Sequence, residues 1–114
     1  MRYMFLTSGA ETGAIPPQAM IDAIEKLTEQ EMAAGRMIAR GGLMPTAMGS
    51  ARIESRRGKL KLTDGPFAET KEVLGGYWII NVKSRAEAIE WATRCPASDN
   101  EVIEVRQIQE MEDY

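Results

Sequence analysis

Six consecutive residues, Tyr77-Trp78-Ile79-Ile80-Asn81-Val82, constrain the fold more than any other stretch of the sequence. Aromatic and β-branched side chains suit a pleated backbone, and a run this apolar offers no face to water. It predicts a central strand covered on both faces, the spine of a sheet. Such a strand needs paired neighbours on its flanks and a layer above and below. The chain has 114 residues, the size of one domain, so residues 1–114 are read as a single unit. A domain this small buries only about 65% of the surface its unfolded chain exposes, and each broad apolar face needs a partner, in the same chain or in a second copy.

The neighbours of the spine are legible on either side of it. Tyr3-Met4-Phe5-Leu6 reads as a buried first strand, and the turn-rich Ser8 to Gly13 as its exit loop. From Pro17 to Ala34, Met20, Ile21, Ile24 and Leu27 recur at helical spacing opposite Glu25, Lys26, Glu29 and Gln30. Pro17 suits the first turn of this helix and Gly35 its stop. Met37-Ile38-Ala39 predicts a short strand, broken by Gly41-Gly42 into an irregular crossing. Ala51 to Arg56 and Lys59 to Leu62 alternate around Arg57-Gly58, which predicts a β-hairpin with one wet face.

Beyond the spine, Ser84 and Glu87 form an S-x-x-E capping box ahead of a second helix, whose stripe is Ala88, Ile89, Ala92 and Cys95 before Pro96. Val102 to Ile108 is a last strand, with Ile103 and Val105 on one face, before the acidic tail Glu110 to Tyr114. The order β-α-β(ββ)β-α-β gives an α+β fold, the ferredoxin-like split β-α-β arrangement with an added β-hairpin and both helices on one sheet face. The opposite face is left over. If it is apolar, two copies packing sheet on sheet cover it, which makes the expected assembly a homodimer, a dimeric α/β barrel.

Net charge is −3, which argues against a chain built to coat nucleic acid or anionic membrane. No apolar run approaches the roughly 18 to 20 residues that cross a bilayer, and the first residues lack the pattern of a secretory signal. Cys95 is the single cysteine, so no intrachain disulfide can form, and a reducing cytoplasm is the expected location. Cys95 reads as a structural thiol, and Trp78 and Trp91 as core or interface anchors.

The polar signal is concentrated in Asp64-Gly65-Pro66-Phe67-Ala68-Glu69-Thr70-Lys71-Glu72. Asp64 and Gly65 are turn residues and Pro66 fixes its own φ, so the backbone is stiff there. Two readings of Asp64 stand side by side: it bonds its own turn while Phe67 plugs the core, or it is a pocket carboxylate. Glu69, Lys71 and Glu72 are likewise either solvated charges or a group able to move a proton, since a nearby cation holds a carboxyl ionised and burial holds it protonated. The candidate catalytic residues are therefore Asp64, Glu69 and Lys71. Candidate ligand contacts are Phe67, Thr70, Glu72, Gly76 and Tyr77.

Other chemistries are disfavoured. The chain contains no histidine, so nothing activates Cys95 as a nucleophile and a zinc or haem site has no imidazole ligand. An all-oxygen Mg²⁺ site using Asp64 and Glu69 lacks a spacing signature, and no metal or cofactor is expected. There is no G-x-G-x-x-G, and Gly58-Lys59 sits in a hairpin turn rather than a phosphate loop. Arg52, Arg56, Arg57, Lys59 and Lys61 make a basic hairpin, but Glu54 interrupts it and the stacking aromatics of an RNA-binding sheet are missing.

The stretch Thr63 to Glu72, followed by Leu74-Gly75-Gly76-Tyr77, resembles the signature of the DGPF branch of the YCII-related proteins. The likeness extends to Gly42-Leu43-Met44-Pro45, the hairpin, and Glu87-Ala88-Ile89-Glu90-Trp91-Ala92 with Pro96. The resemblance implies a ferredoxin-like fold of the dimeric α/β-barrel group. Members are largely uncharacterised, with some relatives encoded beside or fused to sigma factors and distant ones acting on small molecules. The resemblance thus implies little about activity, and the charged, stiffened loop beside an apolar sheet points to a small-molecule-binding protein able to run weak acid-base chemistry or, alternatively, to a non-catalytic regulatory domain with a sigma-factor partner. Relatives proposed as enzymes use a His and Asp pair, and that mechanism has no counterpart in a chain without histidine.

Overall fold

The computed structural model describes residues 1–11, 15–67 and 72–114. Its elements follow the order β1 (Arg2–Gly9), α1 (Gln18–Ala33), β2 (Met37–Gly42), β3 (Ala51–Arg56), β4 (Lys59–Asp64), β5 (Val73–Asn81), α2 (Arg85–Thr93) and β6 (Val102–Gln107). Four strands form an antiparallel sheet in the order β2-β5-β1-β6, with β3 and β4 as a separate two-stranded hairpin. This is the ferredoxin-like arrangement, with the apolar run from Tyr77 on the central strand β5.

Register explains which side chains meet. Tyr3 lies opposite Ile80, Phe5 opposite Trp78 and Thr7 opposite Gly76, and directly paired residues project from the same face. That face meets the helices. Tyr3, Phe5, Trp78 and Ile80 are buried there with Ala88, Trp91 and Cys95, and Ile24, Leu27, Ile103 and Val105 pack around them. Trp91 is the centre, tilted against Phe5 at 5.7 Å and edge-on to Trp78 at 5.5 Å. The alternate residues Met4, Leu6, Tyr77 and Ile79 share the other face and are half-buried. Within one chain, the spine is thus fully covered on one face only.

The helix ends follow their local chemistry. Gly35, at φ 75°, stops α1 in a Schellman motif, with its N–H donating to Met32 O and Arg36 N–H to Glu31 O. The same two residues pair through their side chains, Arg36 donating to the Glu31 carboxylate at 2.5 and 3.2 Å. Glu31 is buried beneath this contact. The Arg36 hydrogen bond holds its carboxyl below the usual range against the opposing effect of burial. The Trp91 indole N–H acts on Glu31 in the same direction, although its geometry falls short of a full hydrogen bond and Nε1 is otherwise unpartnered.

Ser84 caps α2 by accepting from Glu87 N–H at 3.2 Å, but the Glu87 side chain accepts from Lys83 N–H, one residue outside a standard capping box. The apolar stripe of α2 also differs from its sequence reading. Trp91 points into the core while Ile89 is exposed, because the short helix meets the sheet along Ala88, Trp91 and Cys95. Burial pushes the Cys95 thiol up to about 12.

Two further differences concern β2 and the hairpin. Strand β2 runs through Gly41 and Gly42, since backbone pairing to Tyr77 and Gly76 asks nothing of a side chain. The hairpin turns at Arg57-Gly58, both at positive φ, and matches Ile53 with Leu62 and Ser55 with Leu60. Ile53, Leu60 and Leu62 therefore share a face, yet they are 68%, 75% and 63% exposed, so both hairpin faces are open in the single chain.

Candidate functional site

A cavity of about 710 Å³ lies at the glycine-rich end of the sheet, between the first turns of α1, strands β1, β2 and β5, and residues 96–101. Its size falls in the range of small-molecule sites, roughly 300 to 1,000 Å³. Met20 and Ile24 from α1 and Trp78 from β5 supply apolar wall. Thr7 and Gly76, paired across β1 and β5, form part of the floor. A Cβ at Gly76 would lie 2.9 Å from Thr7 Oγ1 and 3.0 Å from Gly41 O, so the position accepts only glycine without rearrangement.

Arg40 is the one cation among the described residues lining the cavity. Strand β2 places it opposite Trp78, with the guanidinium carbon 5.7 Å from the indole centroid. Its Nε donates to Thr28 Oγ1 at 2.8 Å, and that hydroxyl in turn donates to Ile24 O at 2.7 Å. Arg40 is half-buried and forms no ion pair among the described residues. The carboxylates of the lining, Glu11, Asp99 and Glu101, are exposed. Glu11 is already engaged, accepting from Thr46 N–H at 2.7 Å and from Thr46 Oγ1 at 2.5 Å. No group of three or more potential metal ligands comes together among the described residues.

The turn that carried the sequence signal is built differently. Asp64 is exposed at the end of β4, paired through its backbone with Ala51. Gly65 donates to Ser50 O at 2.9 Å, the Ser50 hydroxyl donates to Thr46 O, and Thr46 is held by Glu11. A Cβ at Gly65 would collide with both Ser50 Oγ and Thr46 O. The Gly65–Pro66 peptide is cis. Phe67 is half-buried, with the Arg52 guanidinium 3.7 Å from its ring centroid. The turn is thereby clasped to the 46–50 segment and, through Glu11, to the exit of β1.

Of the sequence-derived candidates, Gly76 and Tyr77 line the cavity, whereas Asp64, Phe67 and Glu72 are not among its described lining residues. Glu69, Thr70 and Lys71 lie outside the described residues. Arg40 was missed. Its signal was a charged residue in an apolar strand, Met37-Ile38-Ala39-Arg40, just ahead of the Gly41-Gly42 pair.

The family model of the YCII-related domain matches residues 1–112. This chain belongs to the YCII-related family. A relative from Rhizobium meliloti (strain 1021), described only as an uncharacterized protein, is 39% identical over 59 residues, which is 52% of this YCII-related chain. The match covers 47% of that relative's own length, so the chain spans about half of it.

Proposed function

We propose that this YCII-related protein is a homodimeric small-molecule-binding protein whose ligand occupies the cavity between α1 and the glycine-rich end of the sheet. One observation carries the reading: a volume of about 710 Å³, walled by Met20, Ile24 and Trp78, with a few polar groups converging on it. Gly76 and Tyr77 of the lining contact the ligand, and Phe67 and Glu72, outside the described lining, are with Thr70 the proposed contacts of the turn Asp64 to Glu72. Weak acid-base activity is assigned to Asp64, Glu69 and Lys71.

The test is thermal stabilisation by a broad metabolite panel, comparing the wild type with Ile24→Trp, which fills the cavity. A ligand at about 100 times its Kd raises stability by about 2.7 kcal/mol, and Ile24→Trp should lose that gain. Unchanged stabilisation of Ile24→Trp, or none in the wild type, sinks the cavity reading. If Asp64→Asn, Glu69→Gln and Lys71→Met leave turnover of every bound compound unaltered, the acid-base assignment fails.

The homodimer is supported by the half-buried row Met4, Leu6, Tyr77 and Ile79 and by the exposed Ile53, Leu60 and Leu62. That exposed hairpin face also favours a second reading, a non-catalytic interaction domain docking on another protein such as a transcription-initiation factor. Sedimentation separates the two: a dimer in isolation supports self-association, while a monomer leaves the hairpin for a different partner.

A further inference from the structure

We infer that the cavity selects a monoanionic carboxylate with an apolar body, its carboxylate held by Arg40. The inference rests on the cavity reading above and names the ligand class that reading leaves open. Arg40 is a half-buried residue with an indole on one side of its guanidinium, a setting that an anion completes. Arg40 uses Nε on Thr28 and has no carboxylate partner among the described residues. Its four remaining N–H groups form the planar fork that receives a carboxylate in two parallel hydrogen bonds.

The fork is also positioned in advance. Thr28 accepts from Arg40 while donating to Ile24 O, and the Trp78 ring lies under the guanidinium, so little rotamer freedom is left to lose on binding. The rest of the lining sets the remainder of the ligand. Met20, Ile24 and Trp78 offer apolar contact and call for a hydrocarbon or aromatic body. With one cation in the described lining and Glu11, Asp99 and Glu101 at its edges, a second negative charge on the ligand would be repelled. A phosphate dianion fits this balance poorly and a single carboxylate fits it well.

The experiment is an NMR-monitored titration with matched probes, benzoate against benzamide and hexanoate against hexanamide, with inorganic phosphate alongside. Each pair differs mainly in charge. The carboxylate member should bind the wild type about 10- to 100-fold more tightly than its amide, the range expected for charge-assisted hydrogen bonds. That ratio should fall to near one in Arg40→Met. In Thr28→Val, which keeps the charge but removes its positioning bond, the ratio should fall several-fold, a readout that survives if Arg40→Met does not fold.

Equal affinities within both pairs, or a preference that persists in Arg40→Met, would overturn the inference and leave the cavity reading intact. Phosphate binding as tightly as benzoate would also overturn it. Failure of every probe to bind the wild type would overturn the inference as well, whereas undiminished binding by Ile24→Trp removes the cavity reading and this inference together.

Discussion

The helix-covered face of the sheet and the β3–β4 hairpin both line up large apolar side chains on one face and end in opposite conditions. The sheet takes its large apolar side chains from the continuous runs of β1 and β5, and the hairpin takes its own from alternation. Yet Phe5 and Ile80, with Trp91 of α2 over them, are fully buried while Ile53, Leu60 and Leu62 stand in solvent. The hairpin extends beyond the packed body, and the radius of gyration, 16.2 Å, exceeds the roughly 13 Å expected of a compact chain of this length. Alternation decides which side chains share a face, but what covers that face is decided elsewhere. The sheet finds its cover in α1 and α2. The hairpin finds none among the described residues of its own chain.

The sharpest way to break this contrast is to truncate one residue on each side of it. Trp91→Ala should lose about 3–5 kcal/mol in urea unfolding, because it empties the site where Phe5 and Trp78 converge. Leu60→Ala should stay within about 0.5 kcal/mol in the isolated monomer, as for a surface change. Comparable losses would mean that the hairpin is already covered in solution.

A charge on the hairpin sharpens the same point. If a second copy covers Ile53, Leu60 and Leu62, Leu60→Lys removes about 1.5–3 kcal/mol of apolar burial from each protomer and shifts sedimentation from dimer to monomer. The helical signature of the folded chain should be unchanged. A dimer that persists in Leu60→Lys would locate the interface on the open sheet face alone.

Between the two regions sits the clasp at Gly65. Gly65→Ala forces a methyl against Ser50 Oγ and Thr46 O, at an expected cost of about 1–3 kcal/mol. Hydrogen exchange should quicken at the Gly65 and Thr46 amides before it does in the four-stranded sheet. Uniform loosening of all strands would show instead that the clasp is part of the core.

These contrasts also mark what could be read from residues in order. The spine strand, both helices, the hairpin and the ferredoxin-like order were legible because each rests on local periodicity and turn chemistry, as with Gly35 and Arg57-Gly58. The cavity was not. It exists only where Thr7, Arg40 and Gly76 meet, and the distances that matter, Arg40 to Thr28 and to Trp78, depend on register. The sequence drew attention to Asp64 because turn residues and charges cluster there, while the described part of that turn shows backbone and hydroxyl bonds to the 46–50 segment. Glu31 gave no warning at all, since a carboxylate on an amphipathic helix is normally on the wet side.

That buried carboxylate gives the smallest expected effect and the finest comparison, between an ion pair whose carboxylate is buried and one whose carboxylate is part-exposed. Arg36 lowers the Glu31 carboxyl, and Arg2, donating to Glu110 at 2.6 and 2.8 Å, lowers that of Glu110. The sign is the same for both: a carboxyl whose folded value is depressed adds stability that is complete above its ordinary value near 4.5 and is lost as pH falls through the folded value. Glu31→Gln and Glu110→Gln should each flatten the decline of stability between neutral and acid pH. Salt distinguishes them, because the part-exposed Glu110 carboxylate is open to screening by counter-ions, whereas Glu31 is buried and screened less. Urea unfolding at neutral and acid pH, at low and high salt, should therefore show the Glu110→Gln difference shrinking with salt while the Glu31→Gln difference persists. Equal salt sensitivity would place Glu31 in water and withdraw it from the layer that covers the sheet.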